Sequence, residues 1–204
     1  MSLKKLFSYG LFFLIYITTS QYASAITINI VPDSQTVQVG DAFNLDVVVS
    51  GLSAANEIVS AYDLDISYDT SILNATAVSF GSYLDSPLYP SIQDSVLTNP
   101  GTVNIAELSF LFDDELALQQ TDSFTLATLS FDALMAGVSA IAFVADPVYG
   151  IDVKGRNAQI LPLGVNNATV TVNSIINVPE PNTLALMLIA LVGLSIRQFN
   201  RRQI

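Results

Sequence analysis

Apolar and polar residues alternate singly along most of the chain between Ile26 and Ser174. The stretch ITINIV puts Ile26, Ile28 and Ile30 on one face, and Val37 and Val39 follow a polar break from Pro32 to Gln35. In DAFNLDVVVSGL, Phe43, Leu45, Val47 and Val49 share a face, with Asn44 and Asp46 turned away. SAYDLDISYD repeats the arrangement, setting Tyr62, Leu64, Ile66 and Tyr68 against Asp63, Asp65, Ser67 and Asp69. A period of two predicts strands buried on one side and wet on the other. TAVSFGSYL, GTVNIAELSFL, SFTLATLSFDAL, VSAIAFVADPVYGI and NATVTVNSI are further candidates. Turn chemistry separates them at Gly51, Gly81, Asn99-Pro100-Gly101, Gly137 and Gly164. Long helical periodicity is scarce, so the pattern predicts an all-β protein of about nine short strands in two packed antiparallel sheets, a β-sandwich.

The two ends break this pattern. Lys4 and Lys5 precede the apolar LFSYGLFFLIYITTS, and small residues follow at Ala23 and Ala25. That order is a secretory signal peptide over residues 1–25, with cleavage expected after Ala25. At the other end, apolar residues run from Leu184 to Ile196, interrupted only by Gly193 and Ser195. These thirteen positions fall short of the roughly 20 that a permanent span needs. Arg197, Arg201 and Arg202 behind them are expected to stay cytoplasmic as stop-transfer residues. The expected organisation is a signal peptide (1–25), a sandwich domain (26–174), a polar, proline-rich linker (175–182) and a single transmembrane helix with a basic tail (183–204).

Charge narrows the function. From Ile26 to Asn177 two bases, Lys154 and Arg156, stand against seventeen acids, a net of −15. Such a surface repels phosphate backbones and anionic lipid, which excludes nucleic-acid binding and disfavours peripheral membrane docking. The chain has no Cys and no His. A Ser-His-Asp triad, a cysteine nucleophile and the usual zinc sites therefore cannot be built, and disulfides cannot support the fold. No glycine-rich phosphate loop appears, and no cofactor is expected.

Two acidic stretches are candidate sites. Asp63, Asp65, Ser67 and Asp69 occupy alternate positions, as ligands of a calcium loop do. Such a loop also needs a glycine before its fourth ligand is passed and a bidentate glutamate at its end, where Tyr68 and Asn74 stand. The apolar residues between the acids demand a strand, so a solvated acidic face is expected, with Asp63, Asp65 and Asp69 as weak calcium candidates. Asp113, Asp114 and Glu115 precede ELALQQ, where Asp113 or Asp114 is expected to cap one or two helical turns. A carboxylate pair for sugar hydrolysis is the alternative there. The chain has no Trp to stack on sugars, leaving Tyr62, Tyr68, Tyr83, Tyr89 and Tyr149 as substitutes. No catalytic residue is assigned.

VQVGDAFNLDVVVSGL followed by VSAYDLDISYDTSILNATAVSFGSYL resembles the opening half of a cohesin domain, and GTVNIAELSF and FTLATLSFDALMAGVSAIAF resemble its later strands. The resemblance implies a jelly-roll sandwich related to carbohydrate-binding modules, and a protein-binding role, since cohesins grip dockerins through one sheet face. Nothing in the sequence specifies a dockerin as the partner. Val178, Pro179, Glu180 and Pro181, with the apolar run and arginines behind them, closely resemble a PEP-CTERM sorting domain. That resemblance implies a Gram-negative bacterium making an exopolysaccharide, and an exosortase that recognises these four residues and processes the tail. The expected protein is exported and passes through the inner membrane with its ectodomain in the periplasm. It then reaches the cell surface or extracellular matrix, to meet another exported protein or the exopolysaccharide. The alternatives are a carbohydrate-binding module and a polysaccharide-degrading enzyme.

Overall fold

The computed structural model describes residues 26–97, 100–146 and 150–175, together with Met187, Ile189, Leu191 and Val192. It divides at Ser174/Ile175 into two compact units. The signal peptide, the Val178–Pro181 motif and the three terminal arginines lie outside the described residues. In the second unit Met187, Ile189, Leu191 and Val192 are helical and exposed. Among the described residues no helix is long and apolar enough to cross a membrane.

The first unit is built as its alternation requires. β1 (Ile26–Val31) buries every second residue, and a cis Val31–Pro32 bond leads into β2 (Ser34–Gln38). β3 (Ala42–Ser50) turns Phe43, Leu45, Val47 and Val49 inward. Gly51, at positive φ, opens the single-turn helix α1 (Leu52–Ala55). β4 (Ala61–Ser67), β5 (Leu73–Phe80), β6 (Ile92–Val96) and β7 (Thr102–Leu108) follow. The helix α2 (Asp113–Gln119) separates them from β8 (Ser123–Ala133) and β9 (Gly137–Val144). β10 (Asp152–Lys154), a 3₁₀ turn (Arg156–Ala158), β11 (Leu163–Asn166) and β12 (Ala168–Asn173) complete the unit.

One sheet runs β11-β1-β3-β8-β5 and the other β2-β12-β9-β4-β7-β6, with β10 also paired to β4. Most pairs are antiparallel, but β1–β11 and β2–β12 are parallel. The core between the sheets holds Ile28, Leu45, Val47, Leu64, Ile66, Ile105, Leu129 and Phe131, all fully buried. The described residues form twelve strands rather than the expected nine or so, because two long strands are interrupted and the short β6 and β11 carry no alternation to announce them. The first breaks at Pro32 and changes sheets. β9 and β10 lie end to end along one edge of β4.

α2 also differs from expectation. Its N-cap is Phe112, whose side chain makes no cap, and neither Asp113 nor Asp114 takes that role. Instead the Glu115 carboxylate accepts the Phe112 N–H at 2.9 Å, closing the first turn from inside. The Asp113 carboxylate accepts from the Asn157 backbone N–H at 2.8 Å, so it ties the helix to the 3₁₀ turn.

β8 carries a bulge at Leu126, opposite the Val47/Val48 step of β3. The freed Leu126 carbonyl accepts the Gly81 N–H at 2.8 Å. A Cβ at Gly81 would strike the Thr125 carbonyl oxygen, which is backbone and cannot turn aside. Gly81→Ala is therefore expected to cost about 1–3 kcal/mol, seen as a lower urea midpoint at unchanged slope.

Candidate protein-interaction face

The outer surface of β6, β7, β4 and β9/β10 is a flat grid whose rows follow from the strand register. Ile92, Leu108, Ala61 and Lys154 lie side by side across the sheet. The next row is Asp94, Ala106, Asp63 and Asp152, and the one after it Val96, Asn104, Asp65 and Val144. Thr102, Ser67 and Ala142 make the fourth. Each strand contributes alternate residues, while the residues between them fill the core.

Small side chains keep the middle of this face low. Ala61, Ala106 and Ala142 raise no relief, and Ile92, Leu108 and Val144 are exposed apolar groups. The depression over Ala61, Ala106 and Leu108 holds about 190 Å³, below the roughly 300–1,000 Å³ of small-molecule sites. A surface this shallow suits a macromolecule.

The acids are organised rather than scattered. Asn104 Nδ2 donates to Asp63 Oδ1 at 2.7 Å and to Asp65 Oδ1 at 3.0 Å, fixing both carboxylates across the β4–β7 seam. Lys154 Nζ pairs with Asp152 Oδ1 at 2.8 Å. Asp69 lies apart in the turn after β4, where Oδ1 accepts the Ser71 N–H at 2.8 Å and hydroxyl at 2.6 Å. Those bonds hold the Asp69 carboxyl below the usual carboxylate range. Asp63 and Asp65 are thus brought together and Asp69 is not. Among the described residues no group of three or more Asp, Glu, Cys or His could hold a metal ion.

Beneath the grid sits a polar cluster that the sequence reading missed. Glu107 is 3% exposed and faces the core from β7. Its Oε2 lies 2.9 Å from the Tyr62 hydroxyl, and its Oε1 accepts from Ser91 Oγ at 2.6 Å and Gln93 Nε2 at 3.0 Å. The Tyr62 hydroxyl also lies 3.1 Å from the Leu126 carbonyl of the opposite sheet. Burial, then the adjacent Glu107 carboxylate, push the Tyr62 phenol well above its ordinary pKa. The available signal was parity: Glu107 continues the inward series Val103, Ile105.

The tyrosines considered as sugar platforms are mostly structural. Tyr62 is buried, Tyr68 meets Phe131 edge-on at 5.3 Å between ring centres, and Tyr83 stacks on Phe124 at 4.6 Å. Tyr89 is exposed, and Tyr149 lies outside the described residues. The acids at α2 serve local structure through Glu115 and Asp113, as above. Asp114 is fully exposed, 4.0 Å from Arg156.

The cohesin-domain family profile matches residues 28–175. The chain belongs to the cohesin family. A second profile, the PEP-CTERM protein-sorting motif, matches residues 177–202. No curated protein matches the chain. Among solved structures, this cohesin is similar to a type II cohesin domain from the Acetivibrio cellulolyticus cellulosome, at 20% identity and a TM-score of 0.58, covering 72% of this chain and 95% of that one. It is similar to the sixth cohesin of the same organism's scaffoldin B, solved with a mutant Cel5 dockerin, at 15% identity and TM-score 0.57, covering 73% and 99%. A non-cellulosomal cohesin from the archaeon Archaeoglobus fulgidus gives 15% identity and TM-score 0.54, covering 74% and 92%. At these identities the likeness establishes the sandwich fold.

Proposed function

We propose that this chain is an exported surface or matrix protein of an exopolysaccharide-producing Gram-negative bacterium, with a non-catalytic protein-interaction module displayed through an exosortase-processed tail. The observation that carries this reading is one chain holding a cohesin match over 28–175 followed directly by a sorting motif over 177–202. The partner seat is the flat outer grid of β6, β7, β4 and β9/β10, and the partner is another exported protein. Val178, Pro179, Glu180 and Pro181 are the residues read by the exosortase, with Arg197, Arg201 and Arg202 holding the stop and Ala23 and Ala25 marking signal-peptide cleavage. The burial of Tyr62 and the packing of Tyr68 and Tyr83 remove three of the five tyrosines on which the carbohydrate-binding reading rested, so the protein-interaction reading is preferred.

Two measurements test the two halves. Intact-mass analysis of the mature protein is expected to place its C-terminus near the Pro179–Pro181 motif in wild-type cells and at Ile204 in cells lacking the exosortase. Termination at Ile204 in both strains removes the sorting half. For the sandwich, Ala106→Arg puts a long cation at the centre of the grid. Capture of an exported partner is expected to weaken by about 2 kcal/mol, roughly thirtyfold in Kd, while Ser130→Arg on the opposite sheet leaves it unchanged. Equal loss from both variants would remove the assignment of the face.

A further inference from the structure

The end of the sandwich where β7 finishes carries a second surface. Ser109 Oγ donates to the Leu84 carbonyl, which holds the β7–α2 connection against the loop preceding β6. Gln119 Nε2 donates to the Ser82 and Asp85 carbonyls, both at 2.9 Å, so α2 is strapped to that same loop. These contacts hold the segment in place, yet its large apolar side chains point outward. Leu88 is 76% exposed, Phe112 79% and Leu118 90%, and Phe110 is more than half exposed. α2 turns a single residue, Leu116, into the interior. Exposing this much apolar surface has no folding benefit, and large exposed apolar residues gathered on segments tied together in this way mark an interaction site.

Two observations select the occupant. The first is charge: Asp113, Asp114 and Glu115 stand directly beside Phe112, with Arg156 as the nearby cation. A second copy would bring the same acids against them, on top of the −15 that each sandwich carries. Anionic lipid is repelled for the same reason. The second is position. β12 runs antiparallel to β9, and β9 antiparallel to β4, so β12 and β4 point the same way. The chain therefore leaves the sandwich after Asn173 at the end where β4 finishes and β7 begins. The apolar surface lies at the opposite end, one strand length away, roughly 20 Å.

We propose that this tip, formed by Phe110, Phe112, Leu118 and Leu88 with Asp113 and Asp114 beside them, is a docking surface for a cationic, apolar-faced helical segment of another protein, separate from the flat grid. The apolar residues supply the contact area, and the acids select partners carrying lysine or arginine beside their apolar stripe.

The test uses the full secreted chain, isotopically labelled, with two synthetic helical peptides that share a leucine stripe and differ only in lysine or glutamate flanks. The lysine peptide is expected to shift amide signals of the 84–90, 109–119 and 156–157 segments. The glutamate peptide is expected to bind at least about tenfold more weakly, and added salt to narrow that difference. Phe112→Ser with Leu118→Ser, both surface changes, is expected to abolish the shifts at an unchanged melting temperature, while Ala106→Arg on the grid leaves them intact. Equal binding of both peptides, shifts spread over the whole acidic surface, or no binding at all would overturn the proposal. So would a dimer in sedimentation, or binding to phosphatidylcholine vesicles, that the double variant removes.

Discussion

Phe131→Ala is expected to destabilise the sandwich by about 3–5 kcal/mol, the largest effect of any single substitution considered. Phe131 is fully buried at the centre of an aromatic group, stacked on Phe43 with ring centres 5.7 Å apart and met edge-on by Tyr68. Its strand is also an inner one, since β8 pairs with β3 on one side and β5 on the other. Truncation removes the ring's own transfer energy and leaves a cavity between two hydrogen-bonded neighbours that cannot collapse into it. A domain of this size holds about 5–15 kcal/mol in all, so the variant is expected to lose a large share of its urea midpoint and Tm. Phe131→Leu, which keeps most of the volume, should recover more than half of the loss.

The Tyr62–Glu107 cluster predicts a second large effect, one that depends on pH. A phenol whose folded pKa is raised contributes its full stabilisation below the unfolded value, about 10. Above that pH the unfolded chain releases the proton while the folded chain keeps it, so stability falls by about 1.4 kcal/mol per pH unit. Unfolding free energies measured from pH 8 to 12 should therefore bend downward near pH 10, by about 2–3 kcal/mol at the alkaline limit. Tyr62→Phe should flatten that bend, at the price of a lower plateau near neutrality from the lost hydroxyl contacts. A bend unchanged in Tyr62→Phe would show that other groups cause it. Glu107→Ala tests the same cluster from the other side. It strips the acceptor from Tyr62, Ser91 and Gln93 together and is expected to cost about 2–4 kcal/mol at neutral pH.

The sequence made the fold legible where one side of a strand is dry. β3, β4, β7, β8 and β12 each show four or so residues of alternation, because water on one face and core on the other select opposite chemistries. β6 escaped for the opposite reason. Ile92–Val96 is an edge strand, and its residues are exposed or only half-buried, so neither side filters its composition. β10 and β11 are too short for a period to emerge. The face was half visible: Asp63, Asp65 and Ser67 could be read as one outward row from β4 alone. Their neighbours Ala106, Asn104 and Asp152 could not, since register between distant strands is set by the whole sheet and leaves no local mark. The tip was hidden for a related reason, as Phe110, Phe112 and Leu118 look like core residues until α2 is seen to bury only Leu116.

The parallel pairing of β2 with β12 has a mechanical consequence. The last strand of the sandwich lies alongside the first half of the molecule over Ser34–Gln38 and Thr169–Asn173, and antiparallel to β9 on its other side. A pull on the chain beyond Asn173, with the grid or the tip held by a partner, acts along β12. It loads both ladders in shear, so their hydrogen bonds must yield together and cannot peel open one at a time. A protein tethered at its tail in flowing water would keep its fold under tension that would unzip a strand pulled at right angles to its length.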